Sequence, residues 1–198
     1  MIIIADYGAG NLGSLTSALL ELDLDFQVSA VPEDVALADR LIIPGVGAFR
    51  PGMESLRKSG LDEAILNHHK SGKPIVGICL GMHLMATKGT EGGETHGLGI
   101  LPGKVERLEA SKSHLVPHLG WEKISELDWG HDYQPYVYFA HSYYFSPESS
   151  SSMKLSFFAW DGYHLPAIVK KENATAFQFH PEKSGQDGLI LLRNALET

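Results

Sequence analysis

One cysteine in this 198-residue chain stands where a nucleophile is expected. Cys79 follows a short apolar run, residues 74–78, and precedes apolar side chains at helical spacing in residues 80–85. A strand, a sharp turn and a helix in this order form a nucleophile elbow, here with sulfur in place of a hydroxyl oxygen. Gly77 and Gly81 flank the turn, where larger side chains would collide with the strand or the helix. The sequence therefore predicts a nucleophilic Cys79, against the commoner alternative of a buried structural cysteine.

A base for this thiol is found near the end of the chain. Residues 174–179 are predicted to form a strand, and alternation puts Gln178 and His180 on one face. Glu182, two residues further on, can share that face. A histidine that takes the thiol proton and is oriented by a carboxylate completes a nucleophilic set with Cys79. The alternative, a plain surface histidine, leaves the nearby carboxylate unexplained.

A glycine-rich loop follows the strand predicted at residues 41–43. It contains Gly45 and Gly47, and it lies at the strand end where sites assemble in open α/β sheets. We expect backbone N–H groups of this loop, together with that of Leu80, to hold an oxyanion. A simple turn is the alternative.

An earlier loop, residues 7–13, carries the pattern G-x-G-x-x-G between a predicted strand and a predicted helix. A dinucleotide site is disfavoured because nothing later in the chain looks like a hydride-transfer domain. A tight βα turn is the simplest alternative. We favour a third interpretation, in which Asn11 and this turn face a partner.

Composition limits the function classes. The chain is 43% hydrophobic with a net charge of −8, and it has no Lys/Arg cluster dense enough to follow phosphates, so nucleic acid is an unexpected partner. A single cysteine excludes internal disulfides and fits a reducing cytoplasm. Neither a leader nor a membrane span is predicted. No cofactor or metal is expected: Pro117 separates His114 from His118 and argues against a helical metal pair.

Hydrophobic patterning predicts a single domain over residues 1–198 with an α/β fold: an open, mostly parallel sheet with flanking helices, plus a β-rich C-terminal half. Residues 89–97 are predicted to be a loop, and residues 135–145 one strand. His68 and His69, at the end of a predicted helix, are expected to be solvated. The strands after residue 103 are expected to pair mostly antiparallel.

A family resemblance adds to these predictions. Gly77-Ile78-Cys79-Leu80-Gly81 with His180-Pro181-Glu182 is similar to the motifs of the triad class of glutamine amidotransferases. Within that class, four further stretches resemble the glutaminase subunits of imidazole glycerol phosphate synthases: Tyr7-Gly8-Ala9-Gly10-Asn11-Leu12, Pro44-Gly45-Val46-Gly47-Ala48-Phe49, Pro117-His118-Leu119-Gly120-Trp121 and Tyr138-Phe139-Ala140-His141-Ser142-Tyr143-Tyr144. The resemblance runs from end to end of the chain.

The resemblance implies a chemistry. Cys79 attacks the side-chain amide of glutamine and forms a thioester, His180 moves the protons, and Glu182 orients His180. It also implies that a set of positions binds substrate or the oxyanion: Gly45, Val46, Gly47, Leu80, His83, His141, Ser142 and Tyr143.

The resemblance also implies a partner. Ammonia would pass to a barrel-shaped cyclase subunit in a heterodimer, where it is used to make imidazole glycerol phosphate and an aminoimidazole carboxamide ribonucleotide in histidine biosynthesis. The matching interface positions are Asn11, Trp121, Tyr138 and Lys183. Such enzymes are described as switched off until the cyclase binds its ligand and the oxyanion loop, here Pro44 to Gly47, rearranges.

Two residues depart from the family pattern. His83 stands where glutamine is usual, and Glu122 where asparagine is usual. A histidine keeps one donor and one acceptor but changes the reach of the side chain. Three alternatives remain: a paralogue that feeds ammonia to another acceptor in surface-sugar biosynthesis, a non-catalytic regulatory partner, and a stand-alone thiol hydrolase.

Overall fold

The structure, a computed structural model, describes residues 1–10, 12–112, 114–125, 134–148 and 152–197. Asn11, predicted to face a partner, lies outside the described residues. Across the described ranges, none of the helices has the length and apolar character needed to span a membrane.

Strands and helices alternate in the first half of the chain, and strands dominate the second. The strands are β1 (Ile2–Ala5), β2 (Phe26–Ser29), β3 (Arg40–Ile43), β4 (Ile75–Ile78), β5 (Ala86–Gly89), β6 (Thr95–His96), β7 (Leu101–Arg107), β8 (His118–Lys123), β9 (Tyr136–His141), β10 (Tyr143–Pro147), β11 (Lys154–Trp160), β12 (Tyr163–Lys171) and β13 (Ala174–Phe177). The helices are α1 (Leu12–Glu21), α2 (Pro32–Leu37), α3 (Phe49–Ser59), α4 (Leu61–Lys70), α5 (Leu80–Leu84) and α6 (Gly185–Glu197), with a 3-10 turn at Pro181–Lys183.

The central sheet has seven strands in the order β11-β12-β13-β4-β3-β1-β2. The strands from β13 to β2 run parallel, and β12 and β11 extend the sheet with antiparallel pairings. A second sheet has the order β10-β7-β5-β6, and β8 pairs with β9. The predicted fold class, a mostly parallel sheet with a β-rich C-terminal half, is confirmed.

Period-two alternation divides the apolar side chains of the parallel strands between two cores. Ile3 and Ile43 pack into a core that also contains residues of α3 and α4. Ile4 and Ile42, one position along each strand, pack into the opposite core, which contains residues of α1 and α6. Strands covered on both faces are apolar at successive positions, which explains the short uninterrupted runs in the sequence.

Two predictions of secondary structure were wrong in detail. Residues 89–97 were expected to be a loop, yet β6 forms within them and β5 ends there. Residues 135–145 were expected to form one strand, but β9 and β10 are separated at Ser142. At this break, the Nδ1 of His141 hydrogen-bonds to the carbonyl oxygen of Tyr143 at 2.8 Å, which stabilises the bend.

The prediction of a solvated His68 was also wrong. His68 is fully buried, and its Nε2 hydrogen-bonds to the carbonyl oxygen of Pro74 at 3.0 Å. The last turn of α4 packs against the chain that leads into β4, so a polar side chain at the helix end is covered. Burial lowers the pKa of His68.

The topology brings four strand ends to one edge of the sheet. Strands β1, β3, β4 and β13 are neighbours and run parallel, so their carboxyl ends lie side by side. Tyr7 follows β1, Gly45 follows β3, Cys79 follows β4 and His180 follows β13. Residues predicted from distant parts of the sequence therefore meet where open α/β sheets form their sites.

Candidate active site

The backbone at Cys79 is held in a sharp turn. Cys79 has φ 49° and ψ −103°, a conformation that L-residues rarely adopt. Its N–H donates to the carbonyl oxygen of Phe177 at 2.7 Å, which fixes the turn to the end of β13. A Cβ at Gly81 would lie 1.9 Å from the carbonyl oxygen of Ile43, and one at Gly77 would lie 2.9 Å from the backbone nitrogen of Met82. The elbow therefore requires both flanking glycines.

His180 lies between a carboxylate and the cysteine. Its Nδ1 hydrogen-bonds to Oε1 of Glu182 at 2.8 Å, and the side chains are 3% and 6% exposed. Burial lowers the pKa of His180, but hydrogen bonds to Cys79 and Glu182 and their negative charges outweigh it and raise the pKa to about 10. An imidazole that keeps its proton at neutral pH can act as a general acid next to Cys79.

Cys79 opens into a cleft of about 220 Å³. Cavities for drug-sized ligands hold roughly 300–1,000 Å³, so this one suits an amino acid. Seven of the eight predicted substrate or oxyanion residues line it: Val46, Gly47, Leu80, His83, His141, Ser142 and Tyr143. Gly45 is not among the lining residues. Sequence reasoning missed Glu91, Pro117, Leu119 and Ala140, which also line it. Glu91 accepts the N–H of Phe49 at 2.7 Å, a contact with no signal in the sequence.

The oxyanion loop lies close to the elbow. The N–H of Leu80, a predicted oxyanion donor, points to the carbonyl oxygen of Gly45 at 3.4 Å. Because C=O and N–H point in opposite directions across a trans peptide, the N–H of Val46 is directed away from Leu80. The hydroxyl of Tyr7 donates to the carbonyl oxygen of Pro44. In this arrangement the two predicted donors do not converge.

The packing of Gly45 shows how little room the loop has. A Cβ there would lie 2.6 Å from the Tyr7 hydroxyl oxygen and 2.7 Å from the Cβ of Leu80. Burial, with a smaller contribution from the charge of Cys79, raises the pKa of Tyr7. Tyr7 therefore stays protonated and remains a donor to the loop.

His83 lines the cleft, and the buried side chain of Gln178 fixes its position. Its Nε2 hydrogen-bonds to Oε1 of Gln178 at 2.9 Å, and the two residues are 5% and 0% exposed. Burial outweighs this hydrogen bond and lowers the pKa of His83 to about 4, so the ring is neutral at physiological pH. Because an amide oxygen only accepts, the proton lies on Nε2 and Nδ1 is left as an acceptor. The sequence placed Gln178 on the catalytic face but assigned it no role.

Two further histidines form a chain that begins at the cleft lining, with His141, and leads away from it. The Nδ1 of His141 hydrogen-bonds to the carbonyl oxygen of Tyr143, and its Nε2 lies 3.2 Å from Nδ1 of His118. The Nε2 of His118 in turn lies 3.6 Å from Oε1 of Glu122. Burial lowers the pKa of His141 to about 3 and that of His118 to about 4, and it raises that of Glu122. Glu122, where the family resemblance implies an asparagine, is thereby linked through His118 to His141 in the cleft lining.

Three of the four predicted interface residues, Trp121, Tyr138 and Lys183, lie within the described part of the chain. Trp121 is 42% exposed on β8 and opposes Tyr138 of β9, with ring centroids 5.8 Å apart. Tyr136 stacks on the same indole at 5.6 Å. Lys183 is exposed at the end of the 3-10 turn. Trp121, Tyr136 and Tyr138 are called the aromatic face below.

No group of three or more His, Cys, Asp or Glu side chains within the described ranges is arranged to hold a metal ion. His114 is instead directed towards Asp161, with 3.1 Å between Nδ1 and Oδ1.

Comparison with known proteins decides the family. A sequence model of the family "Glutamine amidotransferase class-I" matches residues 3–197. The chain belongs to this family. This class-I glutamine amidotransferase is 43% identical over 198 residues to "Imidazole glycerol phosphate synthase subunit HisH" of Oceanobacillus iheyensis, with 98% of this chain and 96% of that protein covered. It is 42% identical to the protein of the same name from Chlorobaculum tepidum, with both chains fully covered.

Two further comparisons concern a longer relative and the fold. The amidotransferase is 40% identical to "Imidazole glycerol phosphate synthase hisHF, chloroplastic" of Arabidopsis thaliana, with 99% of this chain covered but 34% of that protein. A solved structure described as a glutamine amidotransferase matches with a TM-score of 0.79 at 20% identity, covering 99% of this chain and 97% of the other. At that identity the likeness shows the fold alone, and it confirms the predicted class.

Proposed function

We propose that this chain is the glutaminase subunit of an imidazole glycerol phosphate synthase. It hydrolyses glutamine to glutamate through a Cys79 thioester. The ammonia goes to a cyclase subunit, which makes imidazole glycerol phosphate and an aminoimidazole carboxamide ribonucleotide in histidine biosynthesis. The observation that carries the proposal is the link from Glu182 through His180 to Cys79, which opens into the cleft, in a chain 43% identical to a HisH subunit along its length.

Acylation follows from the charge state of the triad. The Cys79 thiolate adds to the side-chain carbonyl carbon of glutamine, and the carbonyl oxygen becomes an oxyanion. His180 then gives its proton to the amide nitrogen as the C–N bond breaks, which releases ammonia and leaves a thioester. Glu182, at 2.8 Å from Nδ1, keeps Nε2 directed at the reacting atoms.

Deacylation uses the same residues in reverse. Neutral His180 takes a proton from a water molecule, and the resulting hydroxide equivalent adds to the thioester carbon. The carbon–sulfur bond then breaks, which regenerates the thiolate–imidazolium pair and releases glutamate. Glutamine and water thus become glutamate and ammonia, with no cofactor in the balance.

Substrate is held by the residues that line the cleft. Both ring nitrogens of His141 already have partners, so its segment offers the hydroxyl of Ser142 and the backbone of Tyr143 to the amino-acid end of glutamine. Neutral His83 offers Nδ1 as an acceptor in place of the usual glutamine side chain. An acceptor suits a donor on the substrate, such as its ammonium group or the N–H of its amide.

Activation requires the oxyanion loop to move. The N–H of Leu80 is occupied by the carbonyl oxygen of Gly45, and the N–H of Val46 is directed away from it. Rotation of the Gly45–Val46 peptide exchanges that carbonyl for the N–H of Val46 and releases Leu80, so that two donors converge. Docking of the cyclase with its ligand is the proposed trigger, and the free chain has little glutaminase activity.

The partner is a barrel-shaped cyclase in a heterodimer, and the enzyme is cytoplasmic. The aromatic face and the exposed Lys183 support a docking surface next to the cleft, since aromatic side chains are enriched at the centres of interfaces. Asn11 keeps its proposed place at this interface on sequence grounds. The Arabidopsis relative, of which this chain matches 34%, is long enough to carry a second catalytic unit.

A second candidate, a paralogue that supplies ammonia to a different acceptor, is favoured by Glu122. This carboxylate follows Trp121 in the chain but lies on the opposite face of β8, 3.6 Å from His118, and it departs from the asparagine that the resemblance implies. Complementation separates the two candidates. A bacterium that lacks its HisH gene should grow without histidine when it receives this chain and the cyclase of the same source, but not with Cys79→Ser. Failure to grow, with a cyclase that accepts added ammonia, would favour the paralogue.

A further inference from the structure

Ser184 connects the aromatic face to the proposed catalytic base. It follows the 3-10 turn, precedes α6 and is 2% exposed. Its hydroxyl donates to the carbonyl oxygen of His180 at 2.6 Å and accepts the N–H of Tyr138 at 2.9 Å. The N–H of His180 donates to the carbonyl oxygen of Tyr138 at 2.9 Å. Three hydrogen bonds thus close a ring between β9 and the backbone of His180.

The hydroxyl of Ser184 is not used as an ordinary helix cap. A serine before a helix commonly accepts a backbone N–H of the first turn with its side chain. Here the N–H of Gly188, in the first turn of α6, goes to the backbone carbonyl oxygen of Ser184 at 3.2 Å. The side chain is left to join two other segments, since it donates to one and accepts from the other.

We propose that Ser184 is a positioning residue that fixes the backbone of His180 to β9, so that docking on the aromatic face is transmitted to the catalytic imidazole. The inference rests on the proposed function. Ser184 does not line the cleft with Cys79 and touches no substrate. Its effect therefore passes through the position of His180.

The side chain and the backbone of Tyr138 serve the two ends of this link. The ring packs edge-on against Trp121, which is 42% exposed. The backbone carbonyl of Tyr138 accepts the N–H of His180 directly, and the N–H of Tyr138 is linked to the carbonyl of His180 through the Ser184 hydroxyl. A partner that presses on the indole shifts β9, and the three hydrogen bonds carry that shift to the imidazole. Because displacement of a catalytic group by about 1 Å costs on the order of a hundredfold in rate, a small movement is enough.

Ser184→Ala tests the link, with Ser71→Ala as a matched control. Ser71 also donates its hydroxyl to a histidine carbonyl, that of His68 at 2.7 Å, but it lies before β4 at the opposite edge of the sheet. Both variants are assayed in complex with the cyclase and its ligand. We expect Ser184→Ala to lower kcat on the order of tenfold, with the KM for glutamine and the Kd for the cyclase within about twofold of the parent. Ser71→Ala keeps all three values.

A pH profile separates positioning from a general loss of structure. His180 owes its high pKa to Cys79 and Glu182. If the imidazole is no longer held, the alkaline limb of kcat/KM moves to lower pH in Ser184→Ala, whereas a reduced folded fraction lowers the curve without moving it. Circular dichroism gives the folded fraction of each variant.

Three results for Ser184→Ala overturn the inference. They are an unchanged kcat, a fall in kcat accompanied by an equal rise in the KM for glutamine or the Kd for the cyclase, and a chain that does not fold. The parent complex separates this failure from that of the proposed function. If the parent itself is not stimulated by the cyclase, the proposed function fails. If the parent is stimulated and Ser184→Ala behaves like it, the inference about Ser184 fails alone.

Discussion

Nε2 of His83 lies 2.9 Å from the side-chain oxygen of Gln178, so the buried Gln178 holds a histidine that lines the cleft together with Cys79. The pair shows how the chain accommodates a histidine at a position where the family resemblance implies a glutamine. Gln178 fixes the tautomer, burial keeps the ring neutral, and the free Nδ1 remains as an acceptor. The substitution changes the shape of the site while keeping an uncharged polar group in it.

The first prediction concerns His83→Gln. The variant restores an amide that offers a donor and an acceptor, so we expect kcat/KM for glutamine to stay within about threefold of the parent, with an equal or lower KM. Steady-state glutaminase assays in the presence of the cyclase measure both values. A large loss of kcat/KM would mean that the imidazole serves this site in a way that an amide cannot replace.

The second prediction concerns acid stability. The pKa of His83 is about 4 in the folded chain and near 6.5 when exposed, so below pH 6.5 the unfolded state takes up a proton that the native state refuses. His83 therefore destabilises the fold as the pH falls from 6.5 towards 4. Between pH 7.5 and 5.5, we expect the parent to lose roughly 1 kcal/mol more unfolding free energy than His83→Gln.

Urea titrations at the two pH values measure this difference. Comparing the parent with the variant cancels the opposite contribution of His180, whose raised pKa stabilises the fold increasingly as the pH falls towards 6.5. Equal losses for both chains would contradict a neutral buried His83.

The third prediction concerns Glu182→Gln. Removal of the carboxylate charge lowers the pKa of His180 and weakens the orientation of its ring, so kcat should fall about a hundredfold or more. The alkaline limb of kcat/KM should also move to lower pH, because His180 loses its proton earlier. Assays from pH 6 to 10.5 test both effects. A rate loss with an unmoved alkaline limb would argue against Glu182 as the partner of His180.

The fourth prediction concerns the aromatic face. Truncation of Trp121 removes an exposed ring that packs on Tyr136 and Tyr138, so we expect Trp121→Ala to weaken cyclase binding by tenfold or more. Titration calorimetry measures the Kd. Tyr163→Ala is the control, since this tyrosine is 70% exposed on the hairpin of β11 and β12 and should leave the Kd unchanged. An unchanged Kd for Trp121→Ala would mean that the cyclase binds another surface of the chain.

Much of the fold and the elbow could be predicted because their signals are local. An apolar run, two glycines and helical spacing identify Cys79, and alternation near the end of the chain puts His180 on the same face as Gln178. The glycine at position 81 carries information because a side chain there would meet the carbonyl oxygen of Ile43 at 1.9 Å. A steric requirement of this kind is visible in the sequence because it restricts the position to glycine.

Other features depend on tertiary contacts and left no local signal. His68 looks like a solvated residue at a helix end, and only the packing of α4 against the start of β4 buries it. His83 and Gln178 are 95 residues apart and meet because β4 and β13 are neighbours. The hydrogen bond between the carbonyl oxygen of Gly45 and the N–H of Leu80 depends on the orientation of the Gly45–Val46 peptide. Because glycine tolerates many backbone conformations, the sequence does not determine that orientation.

The most direct test is the production of glutamate from glutamine by the purified chain. It is measured alone, with the cyclase subunit, and with the cyclase and its nucleotide ligand, and Cys79→Ser is carried through every condition. We predict little activity alone, strong stimulation when the ligand-bound cyclase is present, and none for Cys79→Ser, which still binds the cyclase. Stimulated glutamate production by Cys79→Ser would contradict the assignment of Cys79 as the nucleophile. No stimulation of the parent, with a cyclase that is active on added ammonia, would contradict its proposed place in histidine biosynthesis.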